Sequence, residues 1–160
     1  MRKKKRSRQI TTHNIIRNSH FGAGLANWDN MSVSVLGEME GDQGSGAACL
    51  EGSRAFLSQT RAAKPWDKLE LVIRLRGQSH LANSPVVVRV RWADFSGNFL
   101  SPDMTIFIPR KHLTASSWNE YTIKSAPAPR GTTRVDIRID APLARKGAGI
   151  IIKQIELHRI

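Results

Sequence analysis

Arginine is the residue whose placement in this chain most invites chemistry. Arg74, Arg76, Arg89, Arg91, Arg134 and Arg138 all stand on the polar side of segments that alternate with apolar residues. A guanidinium holds a permanent charge and a planar fork of donors, which suits carboxylates and phosphates. If the segments lie side by side, these six form an anion- or partner-binding face. If they do not, they are a solvated outer surface with Glu70, Asp136 and Asp140 as counterions, and exposed pairs of that kind contribute little. A second set of cations, Arg2, Lys3, Lys4, Lys5, Arg6 and Arg8, runs without an intervening acid. With 25 basic and 13 acidic residues the net charge is +12, and these six account for half of it. Such a run repels itself, is expected to be disordered alone, and suits phosphates or an acidic partner. A plain solubilising tail is the alternative.

Nothing comparable points to catalysis. His13, His20, His80, His112 and His158 are scattered and never at metal-ligand spacing. No Gly-x-Ser-x-Gly elbow occurs, and the loop Gly41 to Gly46 lacks the Lys-Ser/Thr of a phosphate loop. Asp94 and Asp103 bracket a hairpin, and paired carboxylates can hydrolyse glycosides. Asp94 belongs to the turn signal Asp94-Phe95-Ser96-Gly97-Asn98, however, and turns recruit aspartate for backbone hydrogen bonds. The lone Cys49 can form no internal disulfide and reads as a small buried hydrophobe rather than a reactive thiol. The expectation is a protein that is not an enzyme and needs no cofactor and no metal.

The elements that carry the arginines are strands. Leu69, Leu71, Ile73 and Leu75 alternate with Glu70, Val72, Arg74 and Arg76. Val86, Val88, Val90 and Trp92 alternate with Val87, Arg89, Arg91 and Ala93. Val135, Ile137 and Ile139 alternate with Arg134, Asp136, Arg138 and Asp140. Period two with β-branched enrichment is the signature of a half-buried strand, because the pleat sends successive side chains to opposite faces. Further strands are expected over Trp28–Leu36, Ala55–Thr60, Thr105–Ile108, Trp118–Lys124 and Gly149–His158. No helical stripe is visible. Eight or nine short strands separated by turn signals predict an all-β sandwich of two antiparallel sheets, spanning residues 14–160 behind a basic flexible arm, residues 1–13. No apolar run approaches the ~18 residues of a membrane span, and no apolar stretch follows the basic start as a secretory signal requires. A cytoplasmic origin without a membrane partner is therefore expected.

Several segments, taken in order, resemble the jelly-roll carbohydrate-binding modules, of the calcium-binding type, that are appended to polysaccharide hydrolases. They are Asn14-Ile15-Ile16-Arg17-Asn18 leading to Leu25-Ala26-Asn27-Trp28, then Leu57-Ser58-Gln59. Val90-Arg91-Trp92-Ala93-Asp94 follows, leading into Gly97-Asn98-Phe99. Trp118-Asn119-Glu120-Tyr121 and the closing Gly149-Ile150-Ile151-Ile152-Lys153-Gln154 complete the series. The resemblance implies a jelly roll and a glycan ligand stacked on exposed aromatic rings. Trp92 shares parity with the core valines, and Trp28 and Trp118 open strands as core or edge residues. Trp66 and Tyr121 are left as glycan-binding candidates, with core packing the alternative for Trp66. The calcium of that family is not expected here, because His20 and Gly22 replace first-motif acids and Lys153-Gln154 stand at the last-strand acid.

Three functions follow. The first is a structural component of a larger assembly such as a phage-like particle or virion, a decoration or tail protein whose arm contacts other protein subunits or an anionic partner. The second is a free-standing carbohydrate-binding protein. The third is a non-specific nucleic-acid-binding protein using the basic arm.

Overall fold

The computed structural model describes residues 12–37, 46–80 and 84–160. The described residues form two antiparallel sheets. The strands are β1 (His13–Asn14), β2 (Asp29–Met31), β3 (Val33–Leu36), β4 (Ala47–Leu50), β5 (Ala55–Ala62), β6 (Leu69–Gly77), β7 (Val86–Ala93), β8 (Phe99–Ile108), β9 (Asn119–Lys124), β10 (Arg134–Ala141) and β11 (Ile150–Arg159). The first sheet runs β3-β4-β11-β6-β9, with β1 on β11; the second runs β2-β5-β10-β7-β8. Their inner faces close on each other as a jelly-roll sandwich.

The three alternating segments are the strands they were expected to be. Leu69, Leu71, Ile73 and Leu75 of β6, Val86, Val88, Val90 and Trp92 of β7, and Val135, Ile137 and Ile139 of β10 are all at most 2% exposed. Each side chain of this size removed from water stabilises the fold by about 1.5–3 kcal/mol. Phe21 and Trp28 join the same core, their ring centroids 5.8 Å apart.

Other boundaries need correction. The single strand expected over Trp28–Leu36 is two strands in different sheets, because Ser32 takes a left-handed φ of 54° between them. The strand expected over Thr105–Ile108 begins at Phe99. β4 was not expected: Ala47 to Leu50 are buried on both faces, so no alternation marks them. In β11 the pairing with β6 shifts between Ile152 and Gln154. This bulge reverses the inward parity, from Ile150 and Ile152 to Ile155 and Leu157. The arm cations Arg2, Lys3, Lys4, Lys5, Arg6 and Arg8, and most of the Gly41–Gly46 loop, lie outside the described residues.

Candidate functional site

The topology divides the six arginines. β7 and β10 are neighbours in the second sheet, so Arg89, Arg91, Arg134 and Arg138 share its outer face. β6 lies in the first sheet, so Arg74 and Arg76 point out of the opposite side of the sandwich. One six-arginine face is not formed.

Register builds the outer face of the second sheet in rows. Phe107, Val87, Asp140, Phe56 and Met31 align across the five strands. Thr105, Arg89, Arg138, Ser58 and Asp29 form the next row. Then come Arg91, Asp136 and Thr60, and finally Phe99, Ala93, Arg134 and Ala62. Each guanidinium on this face has a partner within the protein. Arg91 Nη2 lies 3.0 Å from Asp136 Oδ2, whose other oxygen accepts from Thr60 Oγ1 at 3.2 Å. Asp140 takes both Arg89 Nη1 at 3.2 Å and Arg138 Nε at 3.0 Å. Arg134 Nη2 donates to the carbonyl of Phe95 at 2.7 Å and to that of Asp94 at 3.2 Å, tying the hairpin to β10.

Two of these guanidiniums also lie on aromatic rings. Arg91 sits 3.7 Å from the Phe99 centroid and Arg138 3.9 Å from that of Phe56. Such stacks are attractive because the ring face is electron-rich. Apolar surface stays in water on this face: the stacked Phe99 is 54% exposed, and Phe107, on the same strand, is 61% exposed. Arg91 Nε is buried without an acceptor. The face thus carries exposed rings at the two ends of β8, Phe107 in the first row and Phe99 in the last, with fixed donors and carboxylates between them. Such groups can stack on apolar surface and hydrogen-bond hydroxyls.

The aromatic residues singled out from sequence fall elsewhere. Trp66 is 72% exposed rather than core, on a turn where its backbone φ is 71° and its N–H donates to Ala128. Tyr121, on β9, is partly buried and packs against the core. Phe56, Phe99 and Phe107 were missed, although Phe99 and Phe107 stand at the parity opposite Ile106 and Ile108, which marks them as outward.

The outer face of the first sheet is closed by comparison. Arg76, Lys153 and Arg74 surround the Trp118 ring at 5.0, 5.7 and 5.9 Å. Trp118 packs against a small second cluster of Ala47, Cys49 and Ile151. Burial, with the Glu51 charge adding to it, pushes the Cys49 thiol up to about 11, so it is an inert hydrophobe at neutral pH.

The carboxylate of Asp94 is held by its turn. It accepts from Ser96 N and Asn98 N at 2.9 Å each and from the Asn98 amide at 3.0 Å. The Asn98 side chain first, then its backbone N–H, holds this carboxyl below its ordinary range. The residues at the family's calcium position do not fit that ion. Asn18 takes φ 52° and uses its side-chain oxygen on Ala23 N and its amide on the Gly24 and Ala26 carbonyls. Lys153 brings a positive charge instead of a ligand.

No protein-family model matches the sequence, and no curated protein was found similar to it. The likeness is to solved structures. The enzymatically active domain of tailspike protein 4 from bacteriophage CBA120 matches with a TM-score of 0.73 at 18% identity, over 92% of this chain and 21% of that one. TmCBM61, solved with β-1,4-galactotriose, matches at 0.60 and 18%, over 92% of this chain and 99% of that one. The CBM22-1 xylan-binding domain of Paenibacillus barcinonensis Xyn10C matches at 0.62 and 13%, over 93% and 96%. The fold is therefore a divergent jelly roll of the carbohydrate-binding-module type.

Proposed function

We propose that this chain is a non-catalytic glycan-binding module whose ligand lies across the outer face of the second sheet. The observation that carries the reading is the pair of half-exposed rings, Phe99 and Phe107, on the same face as the hydrogen-bonding Arg91–Asp136 and Arg138–Asp140 pairs. Sugar C–H faces stack on such rings, while fixed polar groups select the orientation of the hydroxyls. The glycan-bound and xylan-binding neighbours support the reading. A non-catalytic role is supported by the carboxylates themselves: Asp94 is saturated by its turn, and Asp136 and Asp140 by arginines.

The test is electrophoresis of the full chain through gels containing β-1,4-galactan or xylan. Retardation is expected, abolished by Phe99→Ala and by Phe107→Ala, and kept by Trp66→Ala. Free migration in both gels, or retardation that ignores both phenylalanine substitutions, overturns the proposal.

A second reading rests on the tailspike match, in which a jelly roll of this shape makes up 21% of a larger phage chain. On that reading the module is a component of a phage-like particle and the basic arm contacts a neighbouring subunit. Light scattering of the chain with and without residues 1–9 checks it: assembly must disappear with the arm.

A further inference from the structure

At the end of the sandwich opposite the Asp94–Asn98 hairpin, a cleft of about 610 Å³ opens. It lies where β5 begins and where β8 and β10 end. Its walls include Ser53, Arg110, Pro142, Leu143, Arg145 and Lys146, and no acidic residue lines it. Three cations therefore border one hollow. Among the described residues, none of the three has a carboxylate within ion-pair distance. Glu51 feels Lys146 at longer range, but its Oε2 is engaged by Gln78 Nε2 at 2.9 Å and Gly147 N at 3.1 Å. Cations gathered in a concave, partly apolar site repel one another and attract an anion from outside.

Pro142 also lines the adjoining groove of about 410 Å³, whose other walls include Met31, Phe56 and Arg138 of the sheet face. A chain lying on that face would run into the cleft. We infer that the cleft takes the anionic substituents, carboxylate or sulfate, of an acidic saccharide. The inference rests on the glycan reading and names its ligand class. A nucleic acid fits less well, because no aromatic ring lines the cleft on which a base would stack.

Titration calorimetry of the full chain tests this with four probes: polygalacturonate, dextran sulfate, neutral β-1,4-galactan and oligo(dT). One acidic polymer should bind at least about tenfold tighter than galactan, and which one does identifies the substituent. Arg145→Gln should lower that affinity about tenfold. Arg130→Gln, the same charge change on an exposed loop at the other end, should change it by less than about twofold. Removing residues 1–9 should preserve the acidic preference.

Equal losses from Arg145→Gln and Arg130→Gln would reduce the effect to net charge and overturn the inference. Oligo(dT) bound as tightly, with the same dependence on Arg145, would make the cleft a nucleic-acid contact instead. Galactan bound as well as both acidic polymers, with sensitivity to Phe99→Ala, sinks the cleft and leaves the sheet-face reading intact. Arg145-dependent acidic binding that ignores Phe99→Ala and Phe107→Ala sinks the sheet face and leaves the cleft.

Discussion

The sheet face and the end cleft use the same side chain in opposite ways. On the face, Arg89, Arg91 and Arg138 lie within 3.2 Å of an aspartate, and Arg134 caps two carbonyls. In the cleft, Arg110 and Arg145 have no such partner among the described residues. The cause is architectural. Sheet register fixes which residues stand opposite each other, and here it sets Asp136 beside Arg91. The cleft gathers its cations from a short 3-10 turn, Arg110–His112, and from the loop after β10, where no ladder imposes a match. An arginine count therefore does not locate an anion site; the absence of an internal counterion does.

The comparison breaks most visibly if the face is stripped of its acids. Asp136→Asn with Asp140→Asn leaves three guanidiniums, those of Arg89, Arg91 and Arg138, uncompensated. Affinity for dextran sulfate should rise about tenfold at low salt, and the gain should fade near physiological ionic strength. The same double variant should lose about 1–2 kcal/mol of stability in urea, because charge-assisted bonds at partly exposed sites are modest but several are removed together. Unchanged affinity would mean that the paired arginines were never silenced by the aspartates.

Much of this contrast was hidden in the sequence. The outward parity of Arg74, Arg76, Arg89, Arg91, Arg134 and Arg138 was legible, because a pleat leaves a period-two trace. Which of them share a sheet was not, since β6 and β7 are consecutive in the chain yet belong to different sheets. β4 escaped notice because small residues buried on both faces carry no period. Trp66 looked suited to the core by its size, but its left-handed turn conformation leaves the ring in water. The cleft gave no pattern at all: Arg110 and the Arg145-Lys146 turn are joined only by the fold. By contrast the hairpin was plain, since Asp94, Gly97 and Asn98 are the residues such a turn demands; Gly97 takes φ 88°.

Acid should separate the two regions. The Gly147 N–H, then the Gln78 amide, holds the Glu51 carboxyl below its ordinary value of 4.5. A carboxylate with a depressed folded pKa contributes stability that is present above its unfolded pKa and lost as pH falls through the folded one. Glu51 anchors the turn that carries Arg145 and Lys146, so acidification below about 4.5 should loosen the cleft wall. Amide exchange measured from pH 6 to pH 3, corrected for intrinsic rates, should show Gly147 losing protection while the β10 amides keep theirs. Glu51→Ala should produce the same local loss at neutral pH. A Gly147 amide equally protected at pH 3 would contradict the anchor.

The smallest effect concerns the rings. Phe99 is more than half exposed, so deleting it forfeits little burial; what it removes is the contact with Arg91 at 3.7 Å. An exposed cation–π pair contributes about 0.5–1 kcal/mol, and Phe99→Ala should cost about that much in urea unfolding. Phe99→Leu keeps apolar bulk without the ring and should cost nearly the same, which isolates the stack from simple coverage. Among the described residues no cation lies on the Phe107 ring, so Phe107→Ala should be close to neutral for stability. If both phenylalanines nonetheless cost glycan affinity alike, the ring faces are acting on ligand rather than on the fold. A Phe107→Ala variant destabilised as much as Phe99→Ala would instead place both rings in structural service of the β8 edge.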